Sequence, residues 1–162
     1  MNNKLLLTLL DENAKYSTTD LASALADSAE NVELAIKELE DNHVILGYHT
    51  LINYDKTNIN KVMAIIEVDV TPEREFGYDR IAKMIYKYSE VDTMYLMSGK
   101  SEFSVLVVGK TMQEVANFVG TKLACIEEVV GTSTYFILKQ YKVDGVIYEK
   151  EEETKERMII SA

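Results

Sequence analysis

Five consecutive polar residues, Ser98-Gly99-Lys100-Ser101-Glu102, combine the groups that would hold a zwitterion. Glycine lets a ligand approach the backbone closely. The Glu102 carboxylate can hold an ammonium, and the Lys100 ammonium can hold a carboxylate, each through charge-assisted hydrogen bonds. A free amino acid presents both groups. Thr132 and Thr134, in a later β-rich run, can add hydroxyls. The alternative for this segment is an ordinary solvated hairpin turn, since threonine in a strand also follows from propensity alone.

Other chemistries find no support. His43 and His49 are the only histidines, with no cysteine or acid pair at metal-ligand spacing. No Ser-His-Asp order, CxxC, glycine-rich phosphate loop or HExxH is present. Neither a catalytic residue nor a metal or cofactor site is therefore expected. The ten tyrosines, unaccompanied by tryptophan, fall mostly in the second half of the chain, where core and interface packing accounts for them.

The polar turn joins two expected strands, Val91–Met97 and Phe103–Val108, whose period-2 patterning and glycine-containing connector form a hairpin signature. Around it the pattern is strand (Lys61–Val70), helix (Gly77–Tyr88), hairpin, helix (after Thr111) and strand (Val129–Lys142). This β-α-β-β-α-β order predicts a ferredoxin-like antiparallel sheet with both helices on one side. Met112, Val115, Ala116, Val119 and Leu123 are assigned to the inner face of the second helix. Val130, Thr132, Thr134, Phe136 and Leu138 share one face of the last strand. The other sheet face, with Met63, Ile65, Tyr135, Ile137 and Tyr95 or Leu96, is too apolar for water, so a homodimer is expected to cover it.

The first half reads as helical. A leucine-rich helix spans Asn2–Asp11. Ser17 caps a second helix with Asp20 as its capping-box partner. Ser28 caps a third, with Val32, Ala35, Ile36 and Leu39 at i, i+3, i+4 and i+7. The tight turn at Ala26-Asp27 makes the last two a helix-turn-helix candidate. Val44–Asn53 is β-rich and predicts a wing or an exit strand. The fold class is thus α+β: a winged-helix-like helix-turn-helix domain (1–53), a linker (54–60), a ferredoxin-like domain (61–148) and a charged tail (149–162).

The 162 residues are 47% hydrophobic and 27% charged, with one proline. No run approaches the roughly 20 apolar residues of a membrane span. No signal peptide is read at the N-terminus, and the lone Cys125 excludes an intrachain disulfide, so a cytoplasmic protein without membrane attachment is expected. Net charge is −10, and residues 1–50 hold nine acids against three lysines.

Ile36-Lys37-Glu38-Leu39-Glu40, Val44-Ile45-Leu46-Gly47-Tyr48, Ser98-Gly99 with Glu102-Phe103, and Val129 followed by Thr132-Ser133-Thr134 stand in an order that resembles the leucine-responsive/asparagine-regulator (Lrp/AsnC) family of transcription regulators. That resemblance implies DNA binding by the helix-turn-helix and dimerisation through the C-terminal sheets, often on to octamers. It also implies sensing of an amino acid near the hairpin turn. The residues it assigns to DNA are Lys15, Ser17, Ser28, Glu30, Asn31, Glu33 and Lys37. Those assigned to the effector are Ser98, Gly99, Lys100, Ser101, Glu102, Thr132 and Thr134. The chain departs from the family pattern at Ala26-Asp27, at Lys100-Ser101, at Ile126-Glu127-Glu128 and in an acidic third helix. The alternative reading is an oligomeric small-molecule-sensing or interaction protein that has lost autonomous DNA binding. Some relatives with this fold are sirohaem decarboxylases that rely on C-terminal histidines, and here that domain has none.

Overall fold

The computed structural model describes residues 2–71 and 77–148. The chain divides into two compact units, Met1–Ile52 and Asn53–Ala162.

The first unit contains α1 (Asn3–Glu12), α2 (Thr18–Leu25) and α3 (Ala29–Asp41). Ser17 Oγ accepts the Asp20 N–H while the Asp20 carboxylate accepts the Ser17 N–H, so two orphan donors at the start of α2 are satisfied reciprocally. Ser28 Oγ accepts from Asn31 N at the start of α3. Ala26, in the left-handed region at φ 52°, ends α2 and turns the chain. Leu6, Leu21, Ala22, Val32, Ala35 and Leu39 form the buried core.

Beyond α3 the expected wing is not formed. Val44 N and Ile45 N both donate to the Leu39 carbonyl, closing the helix, and no strand follows before Val62. The reason lies in pairing: a strand exists only against a neighbour, and this stretch has none in the single chain. Ile45 packs against the helical core, while Val44, Leu46 and Tyr48 stay exposed, Leu46 at 88%.

The second unit contains β1 (Val62–Val70), α4 (Asp79–Ile85), β2 (Val91–Leu96), β3 (Phe103–Gly109), α5 (Met112–Phe118) and β4 (Val129–Phe136). The strands lie in the order β2-β3-β1-β4, antiparallel at each pairing. Ala64, Ile66, Val68 and Val70 point to one face of β1, in register with Phe103, Val105 and Val107 of β3. Ile81, Ile85, Val115, Phe118 and Leu123 complete this core. Edge-to-face ring contacts, Tyr78 on Phe103 and Tyr88 on Phe118, tie α4 and α5 to it. The opposite sheet face leaves Ile65, Tyr95 and Tyr135 exposed.

Several local expectations are corrected. The helix expected over Gly77–Tyr88 is only Asp79–Ile85. On α5, Met112 and Ala116 are exposed, and Phe118 takes the inner place beside Val115. The helix ends after two turns and continues as a π-turn over Val119–Leu123, which shifts the phase so that Leu123 still reaches the core. β4 stops at Phe136. Ile137 N still donates to Met63 O, but Leu138, at the level of Val62 where β1 begins, lies outside the paired rows and is 87% exposed. A register shift between Asp69 and Val70 puts Val130 out of the paired rows, and it is exposed. A second shift at Asp92 breaks the alternation of β2. The chain then makes a small hairpin, β5 (Lys142–Val143) and β6 (Val146–Ile147), around Asp144 and Gly145, both at positive φ as its two-residue turn requires. The charged tail, 149–162, lies outside the described residues.

Candidate functional site

In the helical unit, the helix-turn-helix places α3 behind a short turn from α2. Glu30, Asn31, Glu33, Leu34 and Lys37 lie on the exposed side of α3, while Val32, Ala35 and Leu39 face the core. Lys15 and Ser17 are exposed ahead of α2. Ser17 and Ser28 serve as caps, and their hydroxyls are engaged by the helix ends. Asn31 Nδ2 donates to Asp27 Oδ1 at 2.7 Å. That amide bond, with the Ser28 N–H, holds the Asp27 carboxyl below its ordinary pKa.

A depressed folded-state value means stability that is present above the unfolded pKa and lost as pH falls through the folded one. We therefore expect the melting-temperature gap between the protein and Asp27→Ala to be full above about pH 4 and to close below it. Thermal melts followed by circular dichroism across that range check this. An unchanged gap at every pH would leave Asp27 without an ionic role.

In the second unit, one end of the sheet gathers a turn, a strand end and a loop. The turn Ser98–Glu102 precedes β3, whose Phe103 pairs with Val68 of β1. The end of β1 lies beside it: Glu102 Oε2 accepts from Val70 N at 2.9 Å, and Met97 N donates to Glu102 O. The loop before β4 closes the end, with Thr71 N donating to the Glu128 carbonyl. The Glu128 carboxylate is ion-paired to Arg80 of α4. Turn, strand end and loop are thus joined by one side-chain and one backbone hydrogen bond that fix their spacing.

The expected effector residues divide within this frame. Ser98, Gly99 and Lys100 are exposed. A Cβ added to Gly99 would meet nothing within 4 Å, so the fold itself does not need glycine there and the backbone stays open to approach. Ser101 is buried at 9% exposure and belongs to the turn's interior. Glu102 is half-buried, with one carboxylate oxygen engaged by Val70 N. Thr132 pairs with Val68 and so lies in the same cross-strand row as Phe103, two strands away. Thr134 pairs with Ile66, two residues further along the strand. The structure brings Ser98–Glu102 together and sets the threonines apart from them.

The sequence reading passed over Asp69. Its Oδ1 is buried without a hydrogen-bond partner among the described residues. Its Oδ2 lies 3.0 Å from where a Cβ on Gly131 would stand. An acid facing a glycine across two strands leaves no local signal, because the strands are joined by some sixty residues of intervening chain. Among the described residues no cluster of metal-binding side chains occurs, and no helix is long and apolar enough to cross a membrane.

Comparison with known proteins agrees with this architecture. The model of the Lrp/AsnC ligand binding domain matches residues 63–147. An uncharacterized HTH-type transcriptional regulator of Bacillus subtilis, YugG, is 39% identical over 157 residues, covering 96% of this chain and 94% of its own. The HTH-type transcriptional regulator LrpA of Pyrococcus abyssi is 28% identical over 140 residues, 86% of this chain and 96% of its own. Among solved structures, the transcriptional regulator NMB0573 of Neisseria meningitidis, in complex with L-Met, superposes with a TM-score of 0.69 at 22% identity, over 85% of this chain and 88% of that one. With more than half of its length matched by the family's ligand-binding domain and nearly all of it shared with an HTH-type regulator, this chain belongs to the Lrp/AsnC family of transcription regulators.

Proposed function

We propose that this regulator contacts DNA through α2 and α3 of its helix-turn-helix domain (1–53) and senses an amino acid at the turn Ser98–Glu102. The observation that carries the first half is the pair of helices with both N-termini capped and a tight left-handed turn between them, exposing one side of α3. Lys15 and Lys37 supply the cations, and Ser28, Glu30, Asn31 and Glu33 the polar face. The second half rests on the open Gly99 backbone with Lys100 and Glu102 on either side of Ser101. In this reading residues 54–60 form the linker and 61–148 the dimerisation and effector domain. The exposed Ile65, Tyr95 and Tyr135 form the face through which a homodimer assembles in the cytoplasm, on the way to larger oligomers such as octamers. No catalytic residue, metal or cofactor belongs to this reading.

A second reading, an oligomeric sensor without autonomous DNA binding, is favoured by one observation. Residues 1–50 carry a net −6, which opposes phosphate contact. Fluorescence anisotropy on a duplex from upstream of its own gene, from low to physiological salt and with and without amino acids, separates the two. Saturable binding that weakens steeply with salt is expected. Lys37→Glu should weaken it by about tenfold or more, since it removes a phosphate partner from each protomer and adds a repelling charge. A folded oligomer with no binding at the lowest salt establishes the second reading.

A further inference from the structure

The outer face of α3 carries two carboxylates one turn apart, Glu30 and Glu33. Both are exposed. Neither has a hydrogen-bond or ion-pair partner among the described residues, although Lys37 stands four positions after Glu33 on the same helix. Apart from Lys37, which the DNA-binding reading gives to phosphate, their neighbours are committed or neutral. Asn31 is tied to Asp27, Ser28 caps the helix, Ala29 packs against the core and Leu34 is aliphatic. The polar groups α3 can present to a base edge are therefore mainly acceptors.

An ionised carboxylate can only accept. In the major groove the base edges offer two donors, the N6 amine of adenine and the N4 amine of cytosine. The adenine amine sits between two acceptors, its own N7 and O4 of the paired thymine. The cytosine amine has an acceptor on one side only, O6 of the paired guanine. A carboxylate brought to adenine meets repulsion from both flanks, and at cytosine from one.

We infer that Glu30 and Glu33 are specificity-determining residues and that this regulator reads cytosine at fixed positions of its half-site. The same carboxylates repel the phosphates of every other sequence. They raise the ratio of specific to non-specific binding by lowering the background, which is discrimination by penalty as much as by attraction. The inference rests on the DNA-binding reading given above.

The test is selection from a randomised duplex pool by the full-length protein and by Glu30→Gln and Glu33→Gln, at low salt. Circular dichroism confirms that the helices are retained. The native protein should enrich half-sites with a fixed cytosine, preferred roughly tenfold over other bases. A glutamine can bond adenine N6 and N7 together, so one of those positions should move from cytosine to adenine in a variant. Both variants should also bind unselected DNA several-fold more tightly. Enrichment of one unchanged consensus by all three proteins overturns the inference and leaves the DNA-binding reading standing. Enrichment without a fixed cytosine does the same. No enrichment by any of them, with the protein folded, overturns both.

Discussion

Replacing Leu6 with alanine should unfold the helical unit while the sheet unit stays folded. Leu6 is fully buried against Leu21, Ala22, Val32, Ala35 and Leu39, six residues that make up that unit's whole buried core. A leucine truncated at such a site costs about 2–5 kcal/mol, the transfer of the lost methylenes plus the cavity they leave. A unit of this size has only roughly 3–8 kcal/mol of stability in total. The loss is therefore comparable with the whole. The control is next door: Leu5 is 39% exposed, and Leu5→Ala should cost less than about 1 kcal/mol. Thermal melts of the two variants, with DNA binding measured alongside, check this. Leu6→Ala should lose helical signal and DNA binding at low temperature and retain the later transition of the β-rich unit, whose core shares no residue with the first. Equal effects at positions 5 and 6 would mean that α1 packs differently from the arrangement described.

The same two leucines show what the sequence could and could not disclose. Leu5, Leu6, Leu7, Leu9 and Leu10 read alike on the page, and only the docking of α2 and α3 singles out Leu6. Local rules were legible. Ser17 with Asp20 forms the reciprocal cap its spacing predicts, and Val32, Ala35 and Leu39 are buried at the helical period. At Thr111 the cap forms, but Glu114 reaches back to Lys110 N instead of the cap residue's own N–H. Where the outcome depended on a distant partner, pattern alone fell short. Val44–Asn53 has strand chemistry and no strand because no other strand pairs with it. Leu138 has core chemistry and is exposed because the pairing of β4 with β1 stops at Phe136. The turn Ser98–Glu102 was legible as a polar connector between two apolar strands. The engagement of Glu102 with Val70, 32 positions earlier, and the orphan oxygen of Asp69 were not, since both depend on which strands become neighbours.

That long-range bond gives Glu102 two separable roles, and a pair of substitutions divides them. One carboxylate oxygen accepts from Val70 N, which is partly buried and holds the turn to the end of β1. The other is the group proposed to hold an amino-acid ammonium. Glu102→Gln keeps an acceptor for Val70 N and removes the charge. Its melting temperature should stay close to that of the native protein, while amino-acid affinity falls by about 10- to 100-fold, the worth of one charge-assisted hydrogen bond. Glu102→Ala removes both. It leaves the Val70 N–H without its acceptor, at a cost of about 1–3 kcal/mol, and it abolishes amino-acid binding as well. Isothermal titration with a panel of amino acids, together with thermal melts, reads the two effects independently. If Glu102→Gln binds as tightly as the native protein, the carboxylate is a strut between the turn and β1, and the ammonium is held elsewhere. If Glu102→Gln is as unstable as Glu102→Ala, the charge itself holds the turn, and a lost effector response would then report the turn's collapse.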